Sequence, residues 1–134
     1  MRHHARGTFE VDLQPLVSHA ATPESGIARM SIDKQFRGDL DAASKGEMLS
    51  AGAPRSGSAG YVAIEHVQGT LDGRNGGFAL QHSGTLRNGD ARLAVNVVPG
   101  SGTGELEGIA GSMAIVIADG KHSYDLEYSL GDEA

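Results

Sequence analysis

An all-β domain of about eight antiparallel strands is the fold class the sequence predicts, on three observations. The dominant hydrophobic period is two along most of the chain. Asn88-Gly89 and Asp119-Gly120 are two-residue hairpin signals, because both centres of a type I′ turn take positive φ. No segment sustains an apolar period of 3.6, and the nearest helical candidates are short pieces at 16–21 and 105–109.

Taken in order, Phe9, Val11 and Leu13 alternate with Thr8, Glu10 and Asp12. Ala28, Met30 and Ile32 alternate with Arg29, Ser31 and Asp33. A shorter run at 44–51 predicts an additional strand. The same alternation returns at 59–71, 78–86, 92–98, 109–117 and 121–130. With Asn88-Gly89 as a loop, Leu86 faces Ala91, Gly84 faces Leu93, His82 faces Val95 and Leu80 faces Val97. With Asp119-Gly120 as a loop, Ile117 faces His122, Ile115 faces Tyr124 and Met113 faces Leu126. Opposed residues share a sheet face, and both hairpins join apolar set to apolar set. The connection at 72–77 admits two registers. A loop at Gly73-Arg74 sets Glu65 opposite His82, and one at Arg74-Asn75 sets it diagonal, on the same face in either case.

Eight such strands close into a barrel or stack as a sandwich. Long strands studded with glycine (Gly60, Gly69, Gly77, Gly84, Gly111) suit a coiled barrel wall. The polar stretch 52–58 reads as a loop on the rim. The 134 residues fit one domain, 1–134, with no linker or repeat. With 11 Lys and Arg against 17 Asp and Glu, the net charge of −6 argues against nucleic acid and anionic membrane as partners. The lack of cysteine excludes disulfides, a thiol nucleophile and Cys-based zinc. No apolar run approaches the roughly 18 residues of a membrane span, and the basic start lacks a hydrophobic stretch after it, so a cytoplasmic location is expected.

The inward face carries Glu65 on one strand and His82 on the next, and these are the candidate catalytic residues. An acid and a base on an apolar face point to a lined cavity poised for proton transfer, while a hydrogen-bonded structural pair is the competing reading. Glu47, Tyr61, Phe78, Leu80, Met30, Met113, Tyr124 and Tyr128 share that face and are the candidate substrate-binding residues. His122 falls at a strand end, at the barrel mouth. Six scattered histidines without His-x-His or H-E-x-x-H spacing give no metal site, and no cofactor is expected. Pro99-Gly-Ser-Gly-Thr-Gly lacks the Lys-Ser/Thr ending of a phosphate loop and reads as an inter-strand turn. Val62, Ile64, Val98 and Val116 on the outer face point to a homodimer or higher homo-oligomer.

Several strings carry a resemblance: Gly7-Thr-Phe-Glu-Val, Gly46-Glu-Met-Leu, Gly60-Tyr-Val-Ala-Ile-Glu, Gly69-Thr-Leu, Leu80-Gln-His-Ser-Gly-Thr, Val98-Pro-Gly-Ser-Gly-Thr-Gly and Lys121-His-Ser-Tyr. In this order they resemble the bacterial DUF3224 family over nearly the whole chain. That family looks like the allene oxide cyclase barrel, which implies an eight-stranded antiparallel β-barrel with an interior cavity. The resemblance implies a cofactor-independent isomerase or cyclase acting on a reactive, largely apolar small molecule. No catalytic residue is carried over from the plant enzymes. The alternative function is a lipocalin-like barrel that binds an apolar metabolite without turnover.

Overall fold

A computed structural model describes residues 2–131, with the side chain of residue 54 left aside. Its strands are β1 (His3–Leu16), β2 (Ala28–Gly38), β3 (Leu40–Ala53), β4 (Ser58–Leu71), β5 (Arg74–Arg87), β6 (Asp90–Val97), β7 (Thr103–Gly104), β8 (Ala110–Ala118) and β9 (Lys121–Ser129). All but β7 close into an eight-stranded antiparallel barrel. The ring runs β1-β2-β3-β4-β5-β6-β8-β9 and returns to β1, and β7 adds a short edge to β5. Apart from a single 3₁₀ turn at Pro54–Ser56, no helix forms among the described residues. Both short helical candidates are instead strand, coil and turn. No helix here is long and apolar enough to cross a membrane.

Three tight hairpins fix the register. Asn88-Gly89 and Asp119-Gly120 take positive φ, and the expected pairs His82↔Val95 and Ile115↔Tyr124 form. The third turn is Asp72-Gly73, with φ of 49° and 83°, rather than either of the two loops weighed from sequence. Asp-Gly supplies both positive-φ centres, which Gly-Arg and Arg-Asn do less readily. Glu65 therefore pairs with Leu80, and His82 pairs with Ala63, leaving Glu65 and His82 diagonal neighbours on one face.

The wall is uneven. β1, β3, β4 and β5 are 14 residues long, whereas β6, β8 and β9 have eight or nine. Closure between β6 and β8 rests on one bridge, Asn96↔Ser112. Above it the two strands part, and Leu93 and Ile117 are 46% and 66% exposed. The opposite end is plugged. The segment 98–109 folds under the barrel and buries Leu106 and Ile109 against its base. Ser101 Oγ accepts the Ala79 N–H at 3.0 Å and donates to the Val98 carbonyl at 2.7 Å. The glycine-rich run is thus part of a hydrogen-bonded plug.

Phe36, Phe78, Leu40, Leu71, Leu80, Leu126 and Val67 fill the plugged half completely. Tyr124 locks this half to the β2–β3 turn. Its hydroxyl accepts the Leu40 N–H at 2.9 Å and shares its proton between the carbonyls of Arg37 and Leu40 at 2.9 and 3.1 Å. Gly7 makes this possible, because a Cβ there would lie 1.9 Å from the Arg37 carbonyl oxygen and 2.6 Å from the Tyr124 hydroxyl. On the outer face Val62, Ile64 and Val116 are exposed, as the alternation predicts.

Candidate functional site

Midway along the barrel the apolar filling gives way to a cluster of polar side chains. Glu65 stands on β4, with its side chain fully buried. Ser44 on β3 donates to Glu65 Oε1 at 2.7 Å. Lys34 on β2 donates from Nζ to Oε2 at 2.7 Å, and His82 Nε2 on β5 meets the same oxygen at 2.6 Å. The side chains of Lys34 and His82 are 7% and 4% exposed. Four adjacent strands thus each contribute one group, and the barrel register brings them together: Lys34 pairs with Ser44, and Gly46 pairs with Glu65.

Burial by itself would raise the Glu65 carboxyl. The hydrogen bond from His82, the charge and hydrogen bond of Lys34, and the Ser44 hydroxyl outweigh it and hold the group down at about 2. Glu65 is therefore an ionised fixture near neutral pH. Lys34 Nζ also lies 4.9 Å from the centroid of Phe9 and 5.7 Å from that of Phe36, so ring faces take up part of its charge.

Above this cluster lies a cavity of about 170 Å³. Lys34, His82 and Tyr61 supply its polar lining, and Phe9, Val11, Ile32, Met48, Ala63 and Ile115 much of its apolar wall. It extends to Leu93 and Ile117, where β6 and β8 part, so the seam gives an entrance. His122 stacks on Phe9 at 5.0 Å near the mouth. Tyr61 lies over Gly84, where a Cβ would come within 2.4 Å of its ring. Its hydroxyl is held protonated by burial, and secondarily by the charge of Glu65.

Among the described residues, His82 makes no hydrogen bond other than that to Glu65, and no buried side-chain nitrogen or oxygen lacks a partner. His82 lines the cavity, and its Nδ1 has no protein partner among these residues. A larger groove of about 670 Å³ lies outside the barrel, between segment 18–27 and the outer faces of β3, β4 and β5. It holds no buried ionisable cluster, so the smaller interior cavity is the better candidate for chemistry.

Of the residues singled out from sequence, Glu65, His82 and Tyr61 meet at this site. Phe78, Leu80, Met113, Tyr124 and Tyr128 point inward as expected but belong to the filled half. Tyr128 bonds Asp72, and Tyr124 serves the β2–β3 turn. Met30 is half-buried on β2, outside the cavity lining. The inward orientation expected for Glu47 is corrected: it lies on the outer face with Leu49 and pairs with Arg29 at 2.5 Å. In β3 the even positions Ala42, Ser44, Gly46 and Met48 face in. Lys34 and Ser44 are the site residues that sequence reasoning missed. The signal was parity: Lys34 continues Met30 and Ile32 two residues on. Among the described residues no group of three metal-ligating side chains forms.

The family model described as "Protein of unknown function (DUF3224)" matches residues 5–128. The chain belongs to the DUF3224 family. A DUF3224 protein of unknown function from Shewanella oneidensis MR-1, solved by crystallography at 1.84 Å resolution, is 46% identical over the full length of both chains, with a TM-score of 0.91. No curated protein matches the chain. Shared DUF3224 membership and the barrel leave the chemistry to be argued from the site itself.

Proposed function

We propose that this DUF3224 barrel is a cofactor-independent isomerase or cyclase that moves a proton on a small, largely apolar molecule held in its cavity. The observation that carries the reading is the open Nδ1 of His82, backed at Nε2 by a carboxylate that three side chains keep ionised. A carboxylate on one ring nitrogen orients the imidazole, fixes its tautomer and leaves the other nitrogen to take a proton. Stability is a poor reason to bury such a cluster, since apolar residues of similar volume serve as well or better. In this reading His82 removes a proton from the substrate and returns it at a second position, so the reaction balances without a redox partner. The Lys34 ammonium steadies negative charge on a substrate oxygen. Glu65 is a positioning residue and transfers no proton.

One observation favours the second reading, a binding barrel without turnover. Glu65 is engaged by three donors and lies outside the cavity wall, so the cavity does not offer the carboxyl group and the imidazole together as an acid and a base. Proton exchange separates the two. Cyclohexanone, a small apolar enolisable ketone, should exchange its α-protons in D₂O faster with the protein than with imidazole at equal concentration. His82→Gln should return the rate to background. Bound ketone that exchanges at background in the wild-type protein would leave only the binding barrel.

A further inference from the structure

The polar groups open to the cavity are two donors, Lys34 and Tyr61, and two imidazoles, His82 and His122. Of the three protons on an ammonium group, Lys34 gives one to Glu65, and the others meet no acceptor among the described residues. The Tyr61 hydroxyl likewise makes no hydrogen bond. His82 offers Nδ1, and His122 stands at the mouth. The one carboxylate, Glu65, lies behind Lys34 and His82 and is not part of the cavity wall. Lys34 and Glu65 cancel in charge, so a proton passed from a ligand to His82 Nδ1 leaves a net positive floor beside the ligand's anionic oxygen. A ligand that brought a donor would find Glu65 already taken and only His82 Nδ1 open to accept it. One that brought an anionic oxygen would meet unused N–H and O–H groups and neutralise the charge.

Size narrows the choice. An apolar cavity of about 150 Å³ holds benzene, and this one measures about 170 Å³. Phe9 forms part of its apolar wall beside Lys34.

From this fit we propose that the ligand class is a single-ring planar oxyanion, a phenolate or cyclic enolate, with its oxygen at Lys34 and His82. The inference rests on the cavity chemistry proposed above and fixes the substrate class for it. In an enzyme of this kind the enolate is the species formed when His82 takes the proton, so the same contacts favour the charged state over the neutral ketone.

4-Nitrophenol is the probe, with nitrobenzene as its counterpart lacking the hydroxyl. The para nitro group would project toward Leu93 and Ile117 at the seam. The expected result is binding of 4-nitrophenolate at least tenfold tighter than nitrobenzene. The bound phenol should also ionise at least one pH unit lower than free, read as the yellow absorbance below the free pKa. Lys34→Met, checked for folding by circular dichroism, should lose the preference while still binding nitrobenzene. Equal or tighter binding of nitrobenzene by the wild-type protein, or no binding of either probe, overturns the proposal whether or not the variant folds. Oxyanion binding that depends on Lys34, without ketone exchange, would sink the enzyme reading and keep this one. Exchange without oxyanion preference would do the reverse.

Discussion

Glu65→Gln is the sharpest perturbation, because it keeps the shape of the cluster and removes its central charge. The carboxyl sits at about 2 against an ordinary 4.5. At about 1.4 kcal/mol for each pH unit, that difference corresponds to roughly 3 kcal/mol of folding stability. The folded-state pKa is depressed, so the contribution is fully present above about pH 5 and is lost as pH falls toward 2. At pH 7 the variant also strands the Lys34 ammonium, whose side chain is only 7% exposed. Breaking a buried pair from one side costs about 3–5 kcal/mol. Urea denaturation of both proteins at a series of pH values from 7 to 2 measures the gap between them. It should be about 3–5 kcal/mol at pH 7 and should shrink by roughly 3 kcal/mol between pH 5 and 2. The variant lacks the titrating group, so the change in the gap isolates Glu65 from every other carboxylate. A gap that stays flat across the acid range, or a cost at pH 7 below about 1 kcal/mol, would show that Glu65 is not held ionised by its three donors.

Other sites test the frame around the cluster. Tyr124→Phe should cost about 1–3 kcal/mol in the same denaturation assay, since it leaves the buried Leu40 N–H without an acceptor. Leu106→Ala should cost about 2–5 kcal/mol by opening a void in the plug. Gly7→Ala places a methyl group 1.9 Å from the Arg37 carbonyl oxygen. It should prise β1 from β2, costing about 1–3 kcal/mol or more, and a thermal melt checks it. A Gly7→Ala protein that melts with the wild type would show that the β2–β3 turn can move away at no cost.

Much of the barrel was legible because side-chain alternation and turn chemistry are local. Ala63, Glu65 and Val67 share a face by period alone, the 72–77 connection sets His82 on that face, and Asn88-Gly89 carries it on to Val95. β3 was misread because its inward set is small and weakly apolar, Ala42, Ser44 and Gly46, while Leu49 on the outer set is the larger hydrophobe. Contrast in hydropathy pointed the wrong way there, and Glu47 went with it.

Lys34 was hidden for a different reason. A lysine after Met30 and Ile32 reads as the point where a strand turns to solvent. What makes its burial tolerable is the carboxylate of Glu65 on β4 and the ring of Phe9 on β1, brought to it by the closed barrel, together with Phe36 on its own strand. The division of the interior was equally out of reach. Phe78, Leu80 and His82 alternate on one strand and face the same way, yet the first two are packed solid and the third borders open space. Outside β3, the sequence by itself determined which side chains point inward. How far along the barrel axis each one lies, and whether the segment 98–109 or nothing at all stands beneath or above it, was decided by closure of strands distant in the chain. A period of two reports the face of a sheet and carries no information on depth.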